Sequence, residues 1–479
     1  MASALAPLLE KFHGVRPVIP RVHEDSNALN KAYHDVRTRP FGWSDAGYPV
    51  AIFLPENEAE VAGLVAALFA KRALLDRHGV KVSVCGGCHT SKSMASGCVT
   101  IDLQKIAHAV PDFDQRRIRV GGGAKLKEPI NALHGSGFAI ATGTHTDTGV
   151  GGLTLAGGIG FLSPRCGLAC DTIVRARVVL CDGRVVECTD NNEHKDLMRA
   201  LRGGGGNFGI VSEFEFEIFE TAHTFAGAVL AYPSSAASWK QTVQSWADAV
   251  ATLPPSDFSL LAMDSTGLPV MPLLCTSVGG PSHKKSDAVV FKRMKAMKGP
   301  RMSPGFFVAM DFHKTLMRLS EPLVLPSFYR AQGWCIGAVS DALLDALYKL
   351  THVRPALPMG SGVVLAPYLH VAKTGVAGRP HAMGHRDKSF WLFCEARWYK
   401  SCDEERCIKW LALVMDAVKQ AGITATTSHA GNAGEENSDD FAYAVPVKEF
   451  LAKTKDVYDG TNFWSCNANV VPWSMRAVA

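Results

Sequence analysis

Hydrophobic positions follow helical spacing in some stretches of the chain and alternate with polar positions in others. Over 58–79 apolar residues recur on one helical face and Gly79 supplies a stop, which predicts an amphipathic helix. The pair Asp182-Gly183 between two β-rich runs predicts a hairpin over 175–188. Further helices are predicted over 194–202, 239–253, 340–350 and 403–422, and further strands over 81–84, 209–218, 363–371 and 389–398.

The pattern changes near residue 220, where glycine-rich segments give way to longer helices and strands. A chain of 479 residues is also longer than one average domain, so two units with a boundary near 220 are expected. The stretch 428–440, rich in glycine, asparagine and acidic residues, predicts a long return loop.

The alternation is most informative over 390–399, because it separates two faces of a predicted strand. One face is apolar and consists of Phe390, Leu392, Cys394, Ala396 and Trp398. The other face consists of Trp391, Phe393, Glu395, Arg397 and Tyr399. The charged pair on this face is either a solvated ion pair or a chemically active pair beside a ligand.

The charge and composition of the chain argue against nucleic-acid-binding, membrane-binding and secreted proteins. The chain has 50 basic and 45 acidic residues and a net charge of +5, which gives no support to nucleic-acid or membrane-surface binding. It has no run of 18 apolar residues and no basic, apolar leader, so we expect a cytoplasmic protein without a signal peptide or transmembrane segment. In that setting, thirteen cysteines predict reduced thiols rather than a disulfide framework.

Glycines are concentrated between 121 and 209. The segment 204–209 satisfies G-x-G-x-x-G, but a predicted helix precedes it and a strand follows, which is the reverse of the dinucleotide-binding order. The segment 149–160 is half glycine, so its backbone N–H groups can converge on an anion. A tightly packed turn without a ligand is the alternative.

The segment Cys85-Gly86-Gly87-Cys88 matches C-x-x-C, which occurs in redox dithiols and in zinc sites. A zinc site needs a second close pair, and Cys166 and Cys170 are one residue too far apart for that motif. No metal site is therefore expected. His89, directly after the pair, has a buried structural histidine as its simplest interpretation.

Taken in order, the motifs resemble one family. They are Val84-Cys85-Gly86-Gly87-Cys88-His89-Thr90, Ile101-Asp102-Leu103, Val120-Gly121-Gly122-Gly123-Ala124, 147–155, 167–171, 202–211 and 458–463 with Asn467. The series resembles the berberine-bridge-enzyme-like branch of the vanillyl-alcohol-oxidase flavoprotein superfamily. The resemblance implies an α+β fold: a two-part FAD-binding domain (1–220, core about 45–220, completed by 441–479) and a middle substrate domain (221–440) of antiparallel sheet flanked by helices.

The resemblance also implies which residues contact FAD. His89 matches the histidine that tethers the flavin, whereas His145 stands where some members have a second, cysteinyl tether. Val150 matches a position that gates oxygen, and its small side chain favours an oxidase over a dehydrogenase. The implied FAD contacts are His89, Cys85, Gly86, Gly87, Cys88, Thr90, Gly149, Val150, Gly151, Gly152, Thr154, Gly158, Asp171, Gly209, Ile210, Val211 and Asn467.

When the C-terminal segment is matched to the family on Tyr443 and Tyr458, the positions of the usual catalytic tyrosines hold Val447 and Ala430. The resemblance places the strand over 390–399 beside the flavin. We therefore predict Glu395 as base, Arg397 as an anion clamp and Tyr399 as a proton relay. His145 and His429 are further catalytic candidates.

Three functions remain open. The first is an FAD-dependent oxidase that takes a hydride from a small or medium organic substrate and passes the electrons to molecular oxygen. The second is a flavin-containing, non-redox cyclase, which the missing tyrosines suggest. The third is a thiol or metal-binding protein without flavin.

Overall fold

The protein is known from a computed structural model, which describes residues 33, 35–37, 47–264, 270–314, 328–352, 357–358, 360–368, 378–384, 386–423 and 445–476. The strands are β1 Ala51–Phe53, β2 Val82–Cys85, β3 Val99–Asp102, β4 Ala109–Asp112, β5 Arg117–Gly121, β6 Phe138–Ala139, β7 Ile173–Val179, β8 Val185–Cys188, β9 Ile210–Glu217, β10 Phe219–Glu220, β11 His223–Tyr232, β12 Asp257–Asp264, β13 Met271–Gly279, β14 Arg301–Met302, β15 Phe306–Ala309, β16 Phe328–Ile336, β17 Gly362–Pro367 and β18 Phe390–Trp398. The α-helices are α1 Glu58–Ala70, α2 Arg72–Arg77, α3 Lys127–Ala132, α4 Val150–Leu155, α5 Ser163–Cys166, α6 Lys195–Leu201, α7 Ala236–Val250, α8 Val290–Lys295, α9 Asp341–His352, α10 Glu404–Gln420, α11 Val445–Asp459 and α12 Trp473–Arg476.

The first part of the chain forms two larger sheets and a two-stranded antiparallel pairing of β6 with β10, and one large sheet forms the middle. A parallel sheet has the strand order β1-β3-β2, and an antiparallel sheet has the order β4-β5-β9-β7-β8. The large antiparallel sheet has the order β14-β11-β13-β12-β17-β18-β16, with β15 paired to β11. The predicted α+β class, with an antiparallel middle sheet flanked by helices, is confirmed.

The hydrophobic cores follow this division. The five-stranded sheet and the helices around it share one core, to which Leu451 of α11 and Val470 contribute. The C-terminal segment therefore packs against the first half of the chain. A second core lies between the large sheet and the helices α7, α9 and α10, and contains Trp246, Leu343 and Trp398. Since β10 ends at Glu220 and β11 begins at His223, we propose domain limits of 1–220, 221–440 and 441–479.

Several sequence predictions are confirmed in detail and others need correction. The hairpin over 175–188 forms from β7 and β8, with Gly183 at a φ of +87° in its turn. The predicted helix over 58–79 is two helices, because the chain breaks between α1 and α2 at Lys71. The strand predicted over 363–371 covers Gly362–Pro367, and the predicted loop over 428–440 lies outside the described residues. Within the described residues, no helix has the length and apolar character needed to cross a membrane.

Candidate FAD and substrate site

A cavity of about 550 Å³ lies between the glycine-rich half of the chain and the large sheet. Strands β12, β13, β17 and β18 form one wall, and the loops after β2 and before α4 form the other. The C-terminal segment closes it with Trp464 and Asn467. The cavity thus joins all three segments that the sequence placed around a flavin.

Most of the predicted site residues line this cavity. They are Gly86, Gly87, Cys88, His89, Thr90, His145, Gly149, Gly151, Gly152, Gly158, Gly209, Ile210, Val211, Glu395, Arg397 and Asn467. The helix α6 before 204–209 and the strand β9 after it also confirm that this segment does not have the dinucleotide-binding order.

Five predicted residues are not brought to the cavity wall. Val150 and Thr154 of α4 are each 1% exposed, and Val150 packs in the first core, so we assign neither a role at the cavity. Asp171 does not line the cavity, and its carboxylate accepts hydrogen bonds from Arg386 and from the Leu168 backbone N–H.

Tyr399 lies beyond the end of β18 and is 42% exposed, so the structure does not place it as a proton relay in the cavity. The fifth residue, Cys85, is fully buried and bonded to Cys88. His429 and Ala430 lie outside the described residues.

Cys85 and Cys88 form a disulfide, which corrects the prediction that all thiols are reduced. Cys88 has a φ of +55°, a conformation that few non-glycine residues adopt. A short 3₁₀ turn over Ser91–Met94 follows, rather than the helix of a thioredoxin-like unit. The other eleven cysteines form no disulfide: Cys98, Cys166, Cys170, Cys181, Cys188, Cys275, Cys335, Cys394, Cys402, Cys407 and Cys466.

The glycines at the cavity serve two different purposes. A Cβ on Gly87 would lie 2.1 Å from the Cα of Gly149, so these glycines allow the two loops to touch. A Cβ on Gly152 would meet nothing within 4 Å, and Gly152 lines the cavity. The first pair is required for packing, whereas Gly152 keeps cavity space open.

The C-terminal wall presents a polar atom that lacks a partner among the described residues. Asn467 donates from its Nδ2 to the Gly206 carbonyl at 2.9 Å, while its buried Oδ1 has no hydrogen-bond partner there. The Trp464 Nε1–H is likewise buried without a partner. Because buried polar groups are nearly always satisfied, these atoms fit a ligand with its own donors and acceptors.

Asn207 has a structural role that sequence reasoning missed. Its Nδ2 donates to the carbonyls of Gly204 and Ala468, and its Oδ1 accepts from the Val470 N–H. One buried side chain therefore fastens the C-terminal segment to the glycine loop at the cavity. The motif Gly206-Asn207-Phe208-Gly209 carried the signal, but the partners of Asn207 in the C-terminal segment lie more than 250 residues away in the sequence.

Two histidines occupy the glycine-rich wall. The rings of His89 and His145 have centroids 6.3 Å apart. Burial lowers the pKa of His89 to about 4, and the nearby charges of Arg397 and Lys125 act in the same direction. Burial, His89 and Arg397 lower the pKa of His145 to about 3. Both imidazoles are therefore neutral at pH 7 and each keeps a nitrogen lone pair.

Glu395 and Arg397 form the polar part of the opposite wall. Their side chains are 12% and 3% exposed, so the alternative of a solvated pair on the strand surface is wrong. The backbone N–H of Arg397 donates to Ser361 Oγ at 2.9 Å, and the Ser361 hydroxyl donates to the backbone carbonyl of Arg397. Burial raises the pKa of Glu395, and Arg397 partly offsets this effect. A carboxyl group of this kind is suited to accept a proton.

Comparisons with known proteins agree with this site. Residues 49–189 match the family model of an FAD binding domain. The chain is 32% identical over 204 residues to the FAD-linked oxidoreductase pgmH of Aspergillus terreus, which covers 42% of this chain and 39% of that protein. It is 33% identical over 175 residues to (R)-6-hydroxynicotine oxidase of Paenarthrobacter nicotinovorans, covering 36% and 38% of the two chains. These matches span about two fifths of the relatives' own length.

The fold match covers nearly the whole chain. The structure of Physcomitrella patens BBE-like 1 superposes with a TM-score of 0.80 and 19% sequence identity, over 98% of this chain and 99% of that one. The chain therefore contains an FAD binding domain over 49–189 and has the overall fold of that BBE-like protein. These matches agree with the resemblance to berberine-bridge-enzyme-like proteins that the motifs carry.

Proposed function

We propose that the chain is an oxygen-using FAD oxidase with its flavin tethered through His89. The observation that carries the proposal is that neutral His89 and the buried Glu395–Arg397 pair line opposite walls of one cavity. The oxidase named among its relatives supports the choice of an oxidase over a dehydrogenase. The proposal does not use Val150, because that side chain lies in the core.

The cavity fits FAD on the evidence of its own walls. Gly152 leaves open space, and Asn467 Oδ1 and Trp464 Nε1, which have no hydrogen-bond partner among the described residues, offer an acceptor and a donor. The N-terminal glycines of α4 would hold the cofactor's phosphates with backbone N–H groups, and the neutral His89 imidazole would be the residue that carries the covalent link to the cofactor. FAD, when bound, supplies the hydride acceptor that the side chains lack.

Three residues of the opposite wall, Glu395, Arg397 and Ser361, would accept the substrate proton and hold the proton acceptor in place. Glu395 accepts the proton that an alcohol or an activated C–H loses, because its buried carboxyl has a raised pKa. Arg397 lies 3.2 Å from Glu395 and keeps the charged form of that carboxyl accessible. Ser361, bonded to the Arg397 backbone, holds the pair in place.

The wall of the large sheet also indicates a substrate class. Trp391 and Phe393 stack with centroids 4.8 Å apart, beside aliphatic residues such as Leu274. Among the described residues of this wall, polar side chains are limited to Ser361, Glu395 and Arg397. The many hydroxyl groups of an oligosaccharide would lose their water here without replacement partners. We therefore propose a substrate with an apolar, preferably aromatic, body and one oxidisable polar group.

A non-redox cyclisation is the second candidate. It is favoured by the finding that no tyrosine occurs among the described residues that line the cavity. Val447, at one of the family's tyrosine positions, packs against the first core from α11. In that case the flavin would shape the cavity without changing its redox state.

Anaerobic mixing of the holoenzyme with substrate distinguishes these functions. A panel of aromatic and aliphatic alcohols is compared with oligosaccharides, and flavin absorbance is followed. The oxidase proposal predicts bleaching by apolar substrates, then recovery of the oxidised spectrum and hydrogen peroxide when oxygen is admitted. Turnover with a flavin that stays oxidised would support the cyclase, and bleaching by oligosaccharides alone would contradict the substrate class.

A further inference from the structure

Three metal-ligating side chains meet outside the main cavity. His134 follows α3, and Asp311 and His313 follow β15. One ligand atom of each residue lies within 4.8 Å of those of the other two. His134 Nδ1 is 3.5 Å from Asp311 Oδ1, and the two imidazole rings have centroids 4.7 Å apart.

These distances match the spacing of ligands around a tetrahedral ion. Atoms bound to Zn²⁺ at about 2.0–2.2 Å are separated by roughly 3.3–3.6 Å at tetrahedral corners. The His134–Asp311 separation of 3.5 Å falls in that range before any ion is bound. An ordinary surface ion pair would need one imidazole, whereas here two imidazoles approach the same carboxylate.

A hydrogen bond on one ring nitrogen of His313 fixes the orientation of its imidazole. Its Nε2 is 2.6 Å from the amide oxygen Oδ1 of Asn131. Since that oxygen can only accept, Nε2 carries the proton and Nδ1 keeps a lone pair. Histidines that bind metals are commonly held by such a hydrogen bond on the other ring nitrogen.

The cluster also borders a second cavity. His134, Asp311 and His313 all line a space of about 280 Å³, together with residues such as Ser136 and Phe312. An ion held by three protein ligands would have its remaining positions directed to water in this space. Imidazole nitrogens favour zinc-like ions over Ca²⁺ or Mg²⁺, which prefer oxygen ligands.

We propose that His134, Asp311 and His313 bind one divalent transition-metal ion of the zinc class. The ion links the segment after α3, in the FAD-binding half, to the end of β15 in the large sheet. Metal binding should therefore raise the thermal unfolding temperature of the chain. This site is independent of the proposed oxidase function, so either can fail without the other.

The test uses untagged holoenzyme stripped of metal with a chelator and titrated with Zn²⁺ by calorimetry and with Co²⁺ by absorbance. We expect one ion per chain, and cobalt d–d bands at wavelengths longer than the flavin absorption. H134Q, D311N and H313Q should each weaken Zn²⁺ binding at least ~10-fold, and N131A about 10-fold or more through loss of the hydrogen bond that orients His313. H78Q, which changes a histidine at the end of α2, is the matched control and should bind normally.

Thermal unfolding without metal shows whether each variant remains folded, and the several variants make the test independent of any one of them. Absence of stoichiometric Zn²⁺ binding by the wild type would overturn the proposal. So would full binding by H134Q, D311N and H313Q together with loss of binding in H145Q, since that result would place the ion in the main cavity.

Discussion

The Glu395 carboxylate lies 3.2 Å from the Arg397 guanidinium on the same face of β18, and both side chains are nearly excluded from solvent. The two effects on Glu395 oppose one another: burial raises its pKa, while the guanidinium lowers it. Because burial has the larger effect, the carboxyl is a better base than an exposed glutamate, and it lies on the wall opposite His89.

Replacing Glu395 with glutamine should slow flavin reduction by two to four orders of magnitude, the usual contribution of a positioned base. Bound flavin should be unchanged, because the side chain keeps its volume. The wild-type reduction rate should fall as pH is lowered through the raised Glu395 pKa, above the ordinary value of 4.5, and this acid limb should disappear in E395Q. Stopped-flow absorbance across pH measures both effects. An unchanged rate in E395Q would remove Glu395 from the mechanism.

Filling the open space at Gly152 should expel the cofactor without disturbing the fold. G152L places a side chain where a Cβ meets no protein atom within 4 Å, at the cavity wall. The matched control is G63L, because a Cβ at Gly63 in α1 also meets nothing within 4 Å but lies outside the cavity. The ratio of flavin to protein absorbance should fall several-fold in G152L only. Equal flavin content in both variants would show that Gly152 does not face the cofactor.

The disulfide predicts a specific thiol count. The chain has thirteen cysteines, of which eleven form no disulfide and so keep their thiols. Maleimide labelling of denatured, non-reduced protein should therefore add eleven labels by mass, and prior reduction should give thirteen. C88S should give twelve under either condition. Thirteen labels without reduction would contradict the disulfide, whereas nine would show that the Cys98 and Cys466 sulfurs, 3.4 Å apart, have also joined.

Local patterns in the sequence predicted the parts of the structure that local chemistry determines. Alternation over 390–399 identified the cavity face of β18, because successive side chains of a strand point to opposite sides. It did not reveal that Asp171 pairs with Arg386, which is 215 residues away. The resemblance had assigned Asp171 to the FAD contacts, but in the structure its carboxylate bonds Arg386 and does not line the cavity. Only the folded chain shows this pair.

Local sequence patterns also could not predict the state of Cys85 and Cys88, which depends on the conformation of the backbone around them. The C-x-x-C spacing allowed a redox dithiol or a zinc site, whereas the structure joins Cys85 and Cys88 in a disulfide and places Cys88 at a φ of +55°. The proposed metal site of His134, Asp311 and His313 was missed because its residues are far apart in the sequence. Asn131 and His313 are 182 residues apart, so no local motif could have joined them.

His145 should make the fold sensitive to acid. Its native pKa of about 3 lies below the ordinary 6.5, so between these values the unfolded chain binds a proton that the native chain does not. Stability therefore falls as pH is lowered through this range, by at most about 1.4 kcal/mol per pH unit. H145Q should lose less stability than the wild type between pH 7 and pH 5 in urea unfolding, with H78Q as control. Equal losses in wild type and H145Q would contradict the assignment.

The histidyl tether can be tested most directly by acid precipitation of the purified wild type and of H89A, followed by absorbance of the pellet and the supernatant. The wild type should show a flavin spectrum before precipitation and retain its yellow colour in the washed pellet, while H89A should release all colour to the supernatant. A yellow H89A pellet would move the tether to another residue. A wild-type protein whose flavin is released by acid would contradict the covalent bond, and a wild type purified without any flavin band would contradict the proposed FAD oxidase itself.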